Sequence, residues 1–351
     1  MSNINSSGRA TAPAPVHFWS CPSCRAPVGE FGSSLKCDGC GQIYESINGI
    51  PDFRLSVPRY LDRAADLALA RQLAESRLPL DELVRHVYSQ RPGWDQKRIE
   101  LRTRQVLSGR EKLHEDVNGW LRAATSENHF VDLGCGGGML MAAAADMRPG
   151  ITALGIDASM TWLVVAQKYV RDRGGEPILA AAMAEALPFG DRQIPAVIAL
   201  DVIEHVENPD SFLAEIDRVL SPGGKVALST PNRFSLTAEP HVHVWGVGWL
   251  PQSMQASYVR KRSGKSYEDT VLLSSFALAS RLRRKTGLKF RIAIPEVPAT
   301  EIEHFATAKS AMARLFNSIS QARILRPIFL CVAPFFRVTG ELVDHATRGV
   351  I

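Results

Sequence analysis

Four cysteines stand as two pairs, CPSC (Cys21, Cys24) and CDGC (Cys37, Cys40), separated by twelve residues that include Gly29 and Gly32. A two-residue gap inside a tight turn lets both thiolates of a pair face one ion, and two such pairs supply a tetrahedral sulfur set. The spacing predicts a structural zinc site, because four protein ligands leave no open position for water. A redox dithiol is the competing reading, and the presence of two paired units disfavours it.

A second locus begins at His129, where HFVDLGCGGGMLMAAAA runs from an apolar strand through a glycine-rich turn into an alanine-rich helical stretch. Gly134, Gly136 and Gly138 permit close backbone approach to a ligand and positive φ angles, with Asp132 at the end of the strand. Such a turn can also serve strand–helix packing alone. The next apolar run, ITALGID, ends at Asp157, nineteen residues beyond Gly138. An acid there can accept both ribose hydroxyls of an adenosine, or cap the helix that follows Ala158 and Ser159.

These loci need elements to hold them. The 351 residues exceed one usual compact domain and suggest a large domain with a small accessory module. With 45% hydrophobic and 22% charged residues, collagenous, largely disordered and disulfide-scaffold classes are excluded. A net charge of +5 is too small on this length to indicate nucleic-acid binding without a local patch. No run reaches the roughly 18 to 20 apolar residues of a membrane span. The opening MSNINSSGRATAPAP lacks the apolar core of a secretory signal, so the expectation is a disordered tail (1–16) on a cytoplasmic protein. The zinc-ribbon module follows over 17–54. A helical linker or cap covers 55–122, carried by the apolar spacing of YLDRAADLALARQLAESRL, a break at Arg91, Pro92 and Gly93, and a second run from Lys97 to Leu121. Residues 123–351 form the large domain. At its end RPIFLCVAPFFRVTGEL and LKFRIAI (288–294) read as a strand pair, with Cys331 in the core.

The ordered series of motifs resembles the class I S-adenosylmethionine-dependent methyltransferases, with DLGCGGG as their first motif and GIDAS as the second. AEALPFGD (184–191) and LDVIEHVENPDSFLAEIDRVLSPGGKVALSTPN (200–232) resemble the third to fifth elements of the branch that includes ubiquinone-biosynthesis O-methyltransferases. The segment CGQIYESINGIPDF, through Tyr44, Gly49, Ile50 and Pro51, resembles small zinc-ribbon modules found beside methyltransferases. The resemblance implies an α/β fold: a Rossmann-like seven-stranded methyltransferase sheet with an N-terminal zinc ribbon and a helical cap. It places Asp132, Gly134, Gly136 and Gly138 around the methionine part of S-adenosylmethionine, Asp157 on its ribose, and Met183 and Ala184 beside adenine. Many relatives carry an acid where Met183 stands; Met183 can only pack against the ring.

The resemblance also puts Asp201, Glu204 and His205 of DVIEHV between cofactor and acceptor. His205 is the candidate base, since an imidazole with a pKa near 6.5 is available in neutral form at cellular pH. A helix cap is the alternative. The same three residues resemble a cluster proposed to hold a divalent ion in some quinol O-methyltransferases, where magnesium, manganese or zinc would fit. An acidic patch beside a cationic sulfonium explains the carboxylates equally well.

An insertion over 233–285 is expected to select the substrate, with His241, His243 and Trp245 alternating on one face of an extended segment and Trp249 nearby. Ordinary lid packing is the other reading. From Arg260 to Arg291 ten basic residues face two acidic ones. Such a segment could meet an anionic or lipid-linked substrate, or be a solvated surface. Sparse aromatics there disfavour single-stranded RNA. The expected function is methyl transfer from S-adenosylmethionine to a small-molecule acceptor, foremost at a hydroxyl oxygen of a biosynthetic or secondary metabolite, a sugar or a lipid-linked compound. The alternatives are methylation of ribosomal or transfer RNA and, in another class, a noncatalytic cofactor-binding scaffold or activator.

Overall fold

The computed structural model describes residues 19–108, 129–148, 150–297, 302–303, 307–320, 322 and 324–343. The expected tail over 1–16 and residues 109–122 of the expected cap lie outside the described residues.

A seven-stranded sheet forms the centre. Its strands are β6 (His129–Leu133), β7 (Thr152–Asp157), β8 (Ile178–Ala181), β9 (Ile194–Leu200), β10 (Leu220–Pro231), β11 (Leu288–Ala293) and β12 (Phe335–Leu342). Their order is β11-β12-β10-β9-β6-β7-β8. The strands from β8 to β10 run parallel, and β12 is inserted antiparallel to both β10 and β11. The chain order reverses direction across β6 and β9, and in such open α/β sheets ligands bind beyond the strand ends at that switch point. The seven-stranded Rossmann-like expectation therefore holds.

The ribbon precedes the sheet as β1 (Val28–Phe31), β2 (Ser34–Cys37) and β3 (Ile43–Tyr44), followed by the hairpin of β4 (Ser46–Ile47) and β5 (Ile50–Pro51). Asn48 and Gly49 join that hairpin with φ of 52° and 79°. Two consecutive left-handed residues are what a type I′ turn needs, and Asn-Gly supplies them at least steric cost. The ribbon is joined to the large domain rather than tethered beside it. Asp52 bridges Ala181 in parallel at the β8 edge, and the Phe53 amide donates to the Ala181 carbonyl at 2.7 Å. Trp19 stacks on Phe189, with ring centroids 5.6 Å apart, inside the same apolar core as Phe53 and Phe212.

The cap is helical as expected over its described part, with α1 (Arg63–Glu75), α2 (Leu80–Ser89) and a third helix, α3, over 96–108. Asp62 caps α1 by accepting from the Ala65 amide at 3.0 Å. Ala70, Leu73, Leu83, Val84 and Val87 bury against Leu163, Val164 and Tyr169 of α5 (Met160–Arg171), which follows α4 (Met139–Met147). Beyond β9 come α6 (Pro209–Val219), α7 (Gln252–Ser263), α8 (Ser275–Lys285), α9 (Thr307–Ser320) and α10 (Arg326–Val332). The last of these is a correction, because residues 326–332 were expected in a strand. Pro327 sits in the first turn of α10, where a missing amide hydrogen is no loss, and the strand begins only at Phe335. Cys331 is half-buried on that helix, not in the core.

Candidate functional site

The cleft lies where β6, β7 and β9 end. Leu133, Gly134, Ile156, Asp157, Met183, Ala184, Asp201 and His205 line it, and Pro58 and Tyr60 of the cap approach complete it. Gly134 has φ of 76°, and a Cβ there would meet Val202 Cγ2 at 2.4 Å, so no side chain fits. At Gly136, with φ of 48°, a Cβ would meet nothing within 4 Å. Gly138 caps α4 and packs on Ala166, so its lack of a side chain is used for helix approach.

Asp157 holds the loop together. Its Oδ2 accepts from the Gly136 amide and its Oδ1 from the Ser159 amide, each at 2.8 Å. Each carboxylate oxygen keeps a second lone pair for a ligand hydroxyl. Enclosure raises this carboxyl above its ordinary range, with the two amides opposing. Asp132 lies beneath, buried, with Oδ2 unpartnered. Burial, then the neighbouring Asp157, pushes Asp132 up to about 8. A cationic ligand group placed beside these two carboxyls would favour their ionised forms.

Sequence reading missed what holds the opposite wall. Arg54 is fully buried and donates to Asp52 at 2.7 Å, to Asp66 at 2.7 Å and to the Ala158 carbonyl at 2.8 Å. Asp66 in turn accepts from the Ser159 hydroxyl and the Met160 and Thr161 amides. One network therefore ties the ribbon exit, α1 and the start of α5 to the residues beside Asp157. The sequence signal was slight: a charged trio, Asp52, Arg54 and Asp66, among apolar neighbours.

Of the predicted chemical residues, Glu204 and His205 come together and Asp201 stands apart. Asp201 is exposed at the cleft, with φ of 56°, and accepts from the Ser229 hydroxyl at 2.7 Å. Glu204 is buried and accepts from the Thr230 hydroxyl at 3.1 Å. Burial, then Asp201, pushes its carboxyl up to about 8. His205 is reached instead by His241, their Nε2 atoms 3.1 Å apart. Burial, then His241, lowers the His205 pKa. His241 Nδ1 donates to the buried Glu239, another residue the sequence reading passed over.

The expected face of alternating histidines does not form, because the segment is a turn and not extended. The His243 amide donates to the Glu239 carbonyl at 2.8 Å and His243, which is exposed, takes φ of 58°, a left-handed conformation that breaks the extended run. Trp245 is 61% exposed, donates to the Leu236 carbonyl at 3.0 Å and is not among the residues that line the cleft. The basic segment is partly paired within the chain, Arg260 with Glu268 at 2.7 Å and both Arg281 and Lys285 with Asp210.

The four ribbon cysteines converge, their sulfurs within 4.8 Å of one another. Cys37 Sγ accepts from the Gly39 and Cys40 amides at 3.4 Å, and the Tyr44 hydroxyl lies 2.9 Å from Cys21 Sγ. Burial raises the Cys21 thiol, but the Tyr44 hydroxyl and nearby amides outweigh it and hold it at about 6. This set fits a tetrahedral zinc ion.

A family profile described as a methyltransferase domain matches residues 131–228. The chain is 39% identical over 116 residues to the ubiquinone biosynthesis O-methyltransferase of Pseudomonas putida, covering 32% of this chain and 48% of that one. It is 36% identical over 104 residues to the enzyme of that name from Brucella ovis, covering 30% and 41%. The chain spans about half the length of the curated relatives it matches. A solved Haemonchus contortus phosphoethanolamine N-methyltransferase 2 with S-adenosyl-L-methionine is similar at TM-score 0.44 and 16% identity, covering 66% of this chain and 53% of that one, too distant to speak to substrate.

Proposed function

We propose that this chain, which carries a class I S-adenosylmethionine-dependent methyltransferase domain, transfers the methyl group to a hydroxyl oxygen of a small-molecule acceptor. The observation that carries the reading is the cleft at the switch point, with Asp157 fixed by the Gly136 and Ser159 amides beside Gly134. Asp157 binds the ribose hydroxyls, Met183 and Ala184 flank adenine, and Asp132 with Gly134, Gly136 and Gly138 forms the methionine end.

Methyl transfer from a sulfonium is an in-line displacement, so alignment and removal of the acceptor proton are the protein's main tasks. The second task falls to the Glu204–His205–His241 cluster. Support for oxygen as the acceptor comes from the relatives named as O-methyltransferases. The self-paired cations at Arg260, Arg281 and Lys285 speak against a continuous phosphate track for RNA. The cysteine set holds a structural zinc ion, which keeps the ribbon, and through Phe53 and Arg54 the cleft wall, in place. Among the described residues no helix is long and apolar enough to cross a membrane.

Calorimetric titration with S-adenosylmethionine and with S-adenosylhomocysteine tests the cofactor half of the reading. Saturable binding of both is expected, and heat for neither would remove it.

A further inference from the structure

Four cations gather beside the cleft, three of them from the cap. Arg91 to Trp94 form a tight turn, in which the Trp94 amide donates to the Arg91 carbonyl at 3.3 Å and Gly93 takes φ of 74°. Proline second and a left-handed glycine third are what a type II turn requires. The turn sets Arg91 over the Trp94 ring, with its guanidinium carbon 5.3 Å from the centroid, and Arg98 of α3 lies over the same indole at 4.1 Å. Trp94 stacks on Tyr88, whose ring meets Trp162 of α5 edge-on. Such stacking fixes a guanidinium plane while leaving its N–H donors free for a ligand. Arg102 follows Arg98 by one helical turn, while Ile99, Thr103 and Val106 bury the other side of α3.

The fourth cation is Lys265, from the loop after α7. Its Nζ donates to the Val242 carbonyl at 2.8 Å, one residue beyond His241. Burial, then Arg98 and Arg102, lower the Lys265 ammonium, against Glu239, which is engaged by His241 and two amides. Burial, then Arg102 and Arg91, lower Arg98 in the same way, against Asp95, whose carboxylate accepts from the Arg98 amide. Burial, then Asp157, raises the Tyr60 hydroxyl on the cleft wall, and Arg91 opposes that rise. The cluster thus reaches from Tyr60 to the neighbour of His241. Other cations find acids, Arg85 with Glu100 at 2.8 Å and Arg260 with Glu268 at 2.7 Å, but among the described residues no carboxylate forms an ion pair with any of these four.

Packing that holds like charges together costs stability unless an anion answers them. We infer that Arg91, Arg98, Arg102 and Lys265 form a subsite for a phosphate group, carried by the methyl acceptor. A phosphate monoester brings nearly two negative charges and three acceptor oxygens, which suits several cations better than a carboxylate does. Phosphate binding stands on the cluster alone; its belonging to the acceptor rests on the methyl-transfer reading, which it narrows to a phosphate ester whose hydroxyl reaches His205.

Calorimetric titration of the full chain with inorganic phosphate, at constant ionic strength in chloride, tests the site. One saturable phosphate per chain is expected, bound about tenfold more weakly by Arg98→Gln and by Lys265→Gln and equally by Arg260→Gln, whose cation is already paired. Arg102→Gln is the milder variant, and near-ultraviolet circular dichroism checks that each is folded. Absence of saturable phosphate overturns the subsite, and so does equal weakening in Arg260→Gln, which marks diffuse surface charge. The product labelled from S-adenosylmethionine is then analysed for phosphorus. A phosphorus-bearing product is expected, in the aqueous phase for a soluble ester and in the organic phase for a lipid headgroup. A phosphorus-free product overturns the inference and leaves methyl transfer standing, whereas label confined to RNA overturns the small-molecule acceptor with it. Saturable phosphate in a chain that methylates nothing upholds the subsite and overturns the methyl-transfer reading instead.

Discussion

His205 and His241 meet Nε2 to Nε2 at 3.1 Å, with the second ring held by Glu239 from its far side. The proposed acceptor end of the cleft is therefore built jointly by the turn after β9 and by a loop 36 residues later in the chain. Glu239→Ala should lower kcat by about 10- to 100-fold with the S-adenosylmethionine Kd unchanged, because the carboxylate acts on the His241 ring and not on the cofactor. Single-turnover rates and cofactor titration on the same variant check this; a loss confined to cofactor affinity would contradict it.

Asp157 braces the Gly136 loop and, in the proposed function, faces the ribose. A charged hydrogen bond contributes about 1.5–3 kcal/mol, so Asp157→Ala should weaken cofactor binding by about one to two decades. Calorimetry reads it directly, and an unaltered Kd would take Asp157 out of the site.

Arg54 donates to three partners from full burial, to Asp52 through two bonds. Breaking a buried pair strands its partner, so Arg54→Ala should cost about 3–5 kcal/mol of stability, well above a surface substitution. Denaturant unfolding with Arg63→Ala as the exposed comparison gives the contrast. Equal small losses would mean that water replaces Arg54 without penalty.

Asp132 gives a pH signature. Its folded pKa, raised to about 8 by burial and by Asp157, lies above the ordinary value of 3.8. The unfolded chain then binds fewer protons than the folded one between those values, so this group's contribution makes stability fall as pH rises through that window. Asp132→Asn should remove the effect, raising the apo melting temperature at pH 7.5 by about 2–4 °C for each kcal/mol recovered, with little change at pH 4. Cofactor affinity should drop in the same variant. A melting shift equal at both pH values would contradict the assignment.

With zinc in the ribbon as proposed, the cleft should be sensitive to a distant metal. Its exit strand is bonded to Ala181, and the chain beyond supplies Pro58 and Tyr60 to the cleft wall. Stripping zinc with a strong chelator should weaken S-adenosylmethionine binding by about tenfold or more, and disturb Trp19 fluorescence through its stack on Phe189. Full cofactor affinity in the stripped protein would show the ribbon to be independent.

What could be read in advance was local. The paired cysteines, the glycine turn and Asp157 each depend on residues a few positions apart, and spacing alone constrains them. The sheet order was legible because the series of motifs is long and ordered. His243 and Trp245 were misplaced because an extended segment was assumed, whereas the Glu239 carbonyl and a left-handed His243 make a turn that breaks the period of two. The Arg54 network and the approach of His241 to His205 join residues brought together only by packing, across 12, 104 and 36 positions. Pro327 could have signalled a helix start, since proline is at home in a first turn, but the apolar run around it resembled a buried strand.

The most direct test of methyl transfer is incubation of the zinc-loaded chain with methyl-labelled S-adenosylmethionine and an extract of its own organism, separated into small molecules, lipids, RNA and protein. Label in the small-molecule or lipid fraction, stable to conditions that cleave methyl esters and matched by S-adenosylhomocysteine, is the predicted result. Label confined to RNA, or cofactor bound with none consumed, would contradict it.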